Sequence, residues 1–260
     1  MNSSRSFDRA ASFYDQTRPL FESLAQQGIQ AILDITGPSA RTLDVGTGTG
    51  RISIPLLERG LDLIGCDLSS KMLIRLQEKF PSARIAQSDA SALPFPSACF
   101  DIVLTAHVLH VIAPWREALR EFRRVLKPGG TYLNVRTWGT VGISIREQMR
   151  LHWRRWLESQ GVNANLPGVQ GNAEIQQELE SLGAHLTEVE VLRYPLKFTL
   201  REELERFASR IYSDSWEIPD AIFEASLEEL RSWVEHEYSS LDQQLQDEVQ
   251  FAIDVARFEG

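Results

Sequence analysis

The sequence predicts an α/β fold, an open sandwich in which a mostly parallel sheet is covered on both faces by helices. Three observations predict it. Short apolar runs alternate with amphipathic segments across residues 40–140, and such spacing returns the chain to one sheet through right-handed crossovers. Several of these runs end on an acidic residue. The first ends at a stretch with alternate glycines, "LDVGTGTGR" at 43–51, where sheets of this kind bind their ligands.

The elements follow in order. Residues 19–35 carry Phe21, Leu24, Ala25, Ile29, Ile32 and Leu33 at helical spacing, and "GPSAR" breaks the pattern. "TLDV" reads as a buried strand, the glycines as a turn, and "RISIPLLERG" as a helix closed by Gly60. "LDLIGCDLS" is a second strand with a helix from Ser69 or Ser70, "ARIAQSDAS" a third and "FDIVLTAHVLHVI" a fourth. Ala118, Leu119, Phe122, Val125 and Leu126 form one helix face, and "GTYLNVRTW" is a fifth strand after "KPGG". That turn stops a helix and starts a strand, a structural task.

Beyond residue 140 the rhythm changes. Residues 141–160 and 173–182 read as helices, 186–199 as a strand, two acidic amphipathic helices fill 201–240, and 249–258 closes as a strand. The expected organisation is a lid and cofactor-binding core at 1–139, helical cap insertions at 140–172 and 201–247, a core helix and strand at 173–200, and a closing core strand at 248–260. A chain of 260 residues suits one core with insertions better than two independent domains.

Composition narrows the partners. The net charge is −9, with 20 Lys/Arg and 15 Asp/Glu in residues 1–160 but 7 and 21 in residues 161–260. An acidic C-terminal part repels a phosphate backbone, so no nucleic acid is expected and a small substrate fits better. No apolar run approaches the roughly 20 residues of a membrane span, and the N-terminus lacks a secretory core, so the expected location is the cytoplasm, with no membrane. Cys66 and Cys99 form no metal-spaced cluster with the five scattered histidines, and no metal is expected.

The strand ends carry the chemistry. Glycines let backbone approach a ligand closely, and a helix N-terminus beyond them offers free N–H donors. A dinucleotide fingerprint started from Gly46 needs glycine at position 51, where this chain has Arg51. Asp44 precedes the loop, where a carboxylate repels a pyrophosphate and attracts an ammonium or sulfonium. Asp67 ends the second strand, placed to accept from two ribose hydroxyls, and Asp89 follows the third, within reach of an adenine amino group. Capping by Asp67 and a turn at Asp89 are the competing structural roles. Three carboxylates at three successive strand ends favour a positively charged nucleoside.

Together "LDVGTGTGR", "LIGCDLS" with "KML" after it, "SDASALPFPSACFDIV" and "LKPGG" resemble the class I S-adenosylmethionine-dependent methyltransferases, most of all the broad bacterial type 11 methyltransferase-domain family. The resemblance covers roughly residues 40–135. It implies a Rossmann-like, seven-stranded sheet whose last strand is antiparallel, with S-adenosyl-L-methionine as cofactor and S-adenosyl-L-homocysteine as product. By position, Asp44, Gly46, Thr47 and Gly48 would hold the methionine part, Asp67 the ribose, Leu68 and Met72 the adenine face, and Asp89 and Ala90 its edge. Thr105, Ala106 and His107 would meet cofactor and substrate. "FDRAASFYDQTRP" resembles the family's leading segment, with Tyr14 as the closing aromatic and Arg18 as a partner for the methionyl carboxylate, or a surface charge.

The acceptor side is open. His107 and His110 are candidates for a base, His107 nearer the strand end and His110 in an apolar run that also suits packing. Trp138 and Trp153 can wall an acceptor pocket or pack in a core. The expected function is methylation of a small-molecule acceptor by a monomer or homodimer, with O-, N- or C-transfer unresolved. The alternatives are an RNA or protein methyltransferase, a non-catalytic S-adenosylmethionine-binding protein, and a nicotinamide-dependent oxidoreductase, which Arg51 and Asp44 disfavour.

Overall fold

The computed structural model describes residue 4 and residues 6–17, 22–140 and 144–260, without the side chains of 22–25 and 137–140. A one-turn helix α1 (Tyr14–Thr17) precedes α2 (Glu22–Thr36), which buries Ile29 and Ile32 one turn apart. Gly37, at φ +74°, ends α2 by donating its N–H to Leu33 O at 2.9 Å, as left-handed helix stops do. There follow β1 (Thr42–Val45), α3 (Ser53–Glu58), β2 (Leu63–Asp67), α4 (Ser70–Lys79), β3 (Arg84–Gln87) and β4 (Phe100–Ala106). The Ser69 hydroxyl caps α4 by accepting from Met72 N at 3.1 Å.

The apolar run at 100–112 is not one strand. It stops at Ala106 because His107 adopts φ +58°, and Leu109–Val111 form a 3-10 turn. A continuous apolar run cannot reveal such a break, since both segments are buried. Next comes α5 (Trp115–Val125), with Trp115, Ala118, Leu119, Phe122 and Val125 buried along one face, Glu117 in its first turn and Arg123 and Arg124 in its last. It passes directly into β5 (Leu126–Thr140). "KPGG" lies inside that strand, where pairing with β4 jumps from Phe100–Leu126 to Ile102–Thr131.

The remaining elements are α6 (Ile145–Ser159), α7 (Asn172–Ser181), β6 (Ala184–Thr199), α8 (Leu200–Ala208), α9 (Asp220–Glu237) and β7 (Gln244–Phe258). α8 opens with a capping box: Glu202 N donates to Thr199 Oγ1 at 3.2 Å and Thr199 N to Glu202 Oε2 at 2.7 Å. Among the described residues no helix is long and apolar enough to cross a membrane.

The seven strands run in the order β3-β2-β1-β4-β5-β7-β6, mostly parallel, with the last strand antiparallel. β1 pairs with β2 on one side and β4 on the other, so the crossovers leave it in opposite directions and open a crevice at its carboxyl end. Val45 there faces Cys66 of β2 and Thr105 of β4.

The chain divides into two compact units. One comprises residues 1–137, 167–192 and 251–260, with a core of Leu43, Val45, Val103, Leu119, Phe122 and Tyr132. The other comprises 138–166 and 193–250, with α6 and α9 packed together through Met149, Trp153, Leu157, Phe223 and Leu230. Its segments overlap the inserts read from the sequence at 140–172 and 201–247, and additionally take residues 193–199 of β6.

Candidate functional site

The glycine loop is shaped from both sides. Gly46 N–H and Thr47 N–H donate to Cys66 O at 2.8 and 3.0 Å, tying the loop to β2. Gly46 has φ +76°, and a Cβ there would stand 2.2 Å from Val108 Cγ2, so only glycine fits. Thr47 packs on β2 where a Cβ on Gly65 would lie 2.9 Å from it.

Strand alternation separates Asp44 from Val45. Val45 joins the core face bordering the crevice, while Asp44, 2% exposed, accepts from Ser53 Oγ, which is itself hydrogen-bonded to Thr47 Oγ1. Burial pushes the Asp44 carboxyl up to about 6, against the lowering effect of the Ser53 and Thr47 hydroxyls. Asp44 therefore braces the loop from beneath, and Thr47 belongs to that brace.

Asp67, at the end of β2, has both oxygens fixed by backbone amides. Ser69 N donates to Oδ1 at 2.8 Å and Gly48 N to Oδ2 at 2.9 Å. Burial still raises this carboxyl above the ordinary range, the amides pulling the other way. A half-buried carboxylate held this way keeps further lone pairs for donors from a ligand.

A cavity of ≈ 670 Å³, counting the open solvent at its mouth, lies at these strand ends. Val45, Gly46 and Gly48 form one side, Cys66, Asp67, Leu68 and Met72 the next, and Ser88, Asp89 and Ala90 a third. Ala106, His107, Val108, Val111 and Ile112 complete the wall after β4, and Ser4, Phe7 and Tyr14 contribute from the N-terminal segment. Phe7 and Tyr14 meet edge to face, with centroids 6.1 Å apart. Among the described residues the buried Ser4 hydroxyl has no hydrogen-bond partner, whereas the Ser88 hydroxyl meets the Cys66 thiol. Burial lifts the Cys66 thiol to about 12, leaving it protonated at neutral pH.

Of the residues singled out from the sequence, Tyr14, Gly46, Gly48, Asp67, Leu68, Met72, Asp89, Ala90 and His107 meet at this cavity. Asp89 also accepts from Ser91 N and Ser91 Oγ at 2.8 and 2.7 Å through Oδ1, so turn and cavity share its carboxylate. His107 reaches the wall in a left-handed conformation, rare outside glycine and concentrated at functional sites.

Asp44, Thr47, Thr105 and His110 do not line it. The Thr105 hydroxyl lies 2.7 Å from Tyr132 Oη and 3.3 Å from Asn134 Oδ1. That buried network continues through Asn134 to Asp254 and Arg136. His110 sits on the 3-10 turn, its carbonyl accepting from Gly168 N at 3.0 Å. Trp153 is buried in the second unit's core, its Nε1–H donating to Ser226 Oγ at 2.9 Å. Arg18 and the side chain of Trp138 lie outside the described residues.

Ser4, Phe7, Ser88, Val108, Val111 and Ile112 escaped the sequence reading. Ser88 was findable, because it immediately precedes Asp89 at the end of β3. The apolar residues were not, since each reads as ordinary core.

Comparison with known proteins bears on the same stretch. Residues 43–134, from β1 into β5, match the family described as "Methyltransferase domain". This segment is thus similar to methyltransferase domains, in agreement with the resemblance seen in its motifs. The chain is 35% identical over 128 residues to a demethylmenaquinone methyltransferase of Beutenbergia cavernae, a match covering 48% of this chain and 53% of that protein. The chain thus spans about half the length of that relative. A malonyl-[acyl-carrier protein] O-methyltransferase of Enterobacter lignolyticus is 28% identical over 179 residues, 65% of this chain and 69% of its own. The YcgJ protein of Bacillus subtilis shares the fold at a TM-score of 0.62 and 17% identity, over 90% of this chain and 99% of that one.

Proposed function

We propose that the chain binds S-adenosylmethionine at the β1–β4 crevice and transfers its methyl group to a small-molecule acceptor. The observation that carries this is Asp67, a half-buried carboxylate at the cavity wall, fixed by Gly48 and Ser69 amides and flanked by Ser88, Asp89 and Ala90 at the next strand end. A ribose diol supplies two O–H donors to such a carboxylate, and an adenine edge suits the neighbouring polar wall. The Ser4 hydroxyl, without a partner among the described residues, fits a ligand rich in nitrogen and oxygen.

When bound, S-adenosylmethionine supplies a methyl group on a sulfonium centre that departs as a neutral thioether. The chain's residues do the positioning. The Asp44–Ser53–Thr47 brace fixes the glycine loop, Asp67 orients the nucleoside, and Phe7 and Tyr14 exclude water from its side of the cavity. His107, aimed into the wall after β4, is the residue placed to accept a proton from an oxygen or nitrogen acceptor.

A small acceptor is favoured by the chain's net charge of −9. The named relatives differ in acceptor, so they support a shared donor rather than a particular substrate.

Calorimetry with S-adenosylhomocysteine tests the reading. Asp67→Ala removes two charge-assisted hydrogen bonds of ~1.5 kcal/mol each, an expected loss of about 100-fold in affinity. Unchanged affinity, or no binding by the unaltered protein, would remove its basis.

A further inference from the structure

The N-terminal segment is tied down by two carboxylates, and each lands beside an amide that holds Asp67. Asp8 Oδ1 accepts from Ser69 Oγ and, at 3.4 Å, from Lys71 N. Ser69 also donates its own N–H to Asp67. Asp15 accepts from Thr49 Oγ1 at 2.5 Å and from Lys79 Nζ at 2.9 Å. Thr49 directly follows Gly48, whose N–H is the other donor to Asp67.

Both hydroxyl residues are fixed. Ser69 and Thr49 are each 1% exposed, whereas the Asp15 side chain is 50% exposed. Ser69 Oγ accepts from Met72 N while donating to Asp8, so its proton and one lone pair are both committed. Losing the Asp8 acceptor frees that hydroxyl to rotate beside the Asp67 contact. Losing Asp15 does the same to Thr49 within the glycine loop. Phe7 and Tyr14, which line the cavity, each immediately precede one of these acids.

We propose that Asp8 and Asp15 are positioning residues for the Asp67 carboxylate, acting through Ser69 and Thr49, so that docking of the N-terminal segment and alignment of the ligand's ribose hydroxyls are one event. This rests on the reading of the ligand as an adenosyl nucleoside. Because the acids act on the ribose contact, their removal penalises a ligand with an intact diol more than one lacking part of it. A tie that merely covers the cavity penalises both alike.

The test is calorimetric titration of the whole chain with S-adenosylhomocysteine and with its 2′-deoxy analogue. Asp8→Ala and Asp15→Ala, which leave no side-chain acceptor for Ser69 Oγ or Thr49 Oγ1, are each expected to weaken the intact ligand about 5- to 10-fold and the analogue less than about 2-fold. Thr49→Val, with Asp15 retained, should show the same selectivity. Equal weakening of both ligands, or none of either, overturns the proposal, as does loss of the cooperative thermal transition in the Ala variants. If the unaltered chain binds neither ligand, the nucleoside reading fails first and takes this inference with it.

Discussion

Asp44 makes the sharpest prediction, because its environment has a sign and a size. Its carboxyl sits at about 6 in the fold, against ~3.9 in an unfolded chain. A carboxyl raised on folding favours the fold while protonated. Its contribution is fully present below about pH 4 and is lost as pH rises through about 6. The whole difference of ~2 units corresponds to ~3 kcal/mol, of which about 1.4 kcal/mol is lost between pH 5 and 8. Asp44→Asn keeps an oxygen for the Ser53 hydroxyl but cannot ionise. Urea unfolding at pH 5 and 8 should therefore show the unaltered protein losing about 1.4 kcal/mol more than the variant. Asp67, also raised, is present in both proteins and cancels in the comparison. Parallel pH dependences would refute the assignment of Asp44 as a buried brace.

Two further outcomes are expected. Trp153→Ala removes a fully buried side chain and the Ser226 hydrogen bond, together with an edge contact to Phe207 at 5.4 Å, and should cost about 3–5 kcal/mol. Scanning calorimetry should show Tm lower by roughly 10 °C, and a shift under about 2 °C would contradict the packing role. His107→Asn preserves a residue type that tolerates φ +58° while removing the imidazole. With an acceptor found by screening for S-adenosylhomocysteine release, kcat should fall about 100-fold with affinity for S-adenosylhomocysteine within about 2-fold. An unchanged kcat would remove His107 from the proton path.

Much of this was legible in the residues. The strand and helix alternation through residue 140 needed only apolar spacing, because each parallel strand must be buried on both faces. Asp67 and Asp89 were legible because they end strands, where backbone direction alone sends side chains toward the crevice. Asp44 lies one residue before its strand end, and period-two alternation turns it away from Val45. The break at His107 was hidden, since a left-handed residue inside an apolar run leaves no compositional mark. Trp153 was ambiguous for a different reason: an aromatic at helical spacing fits a pocket wall and a core equally until its neighbours are known. The ties from Asp8 and Asp15 join residues 61, 34 and 64 positions apart, beyond any local pattern.

The contact between Gly46 and Val108 carries a lesson for diversification. The space a Cβ on residue 46 would need is already taken by Val108, so the glycine loop and the segment after β4 interlock like two pieces of one joint. Val111 and Ile112 lie farther along the same wall, and the three atoms nearest such a Cβ all belong to Val108. A library meant to change which acceptors this chain accepts should vary 111 and 112 and leave 108 alone. Variation at 108 would disturb the glycine loop itself, and on the proposed function the grip on the methyl donor with it.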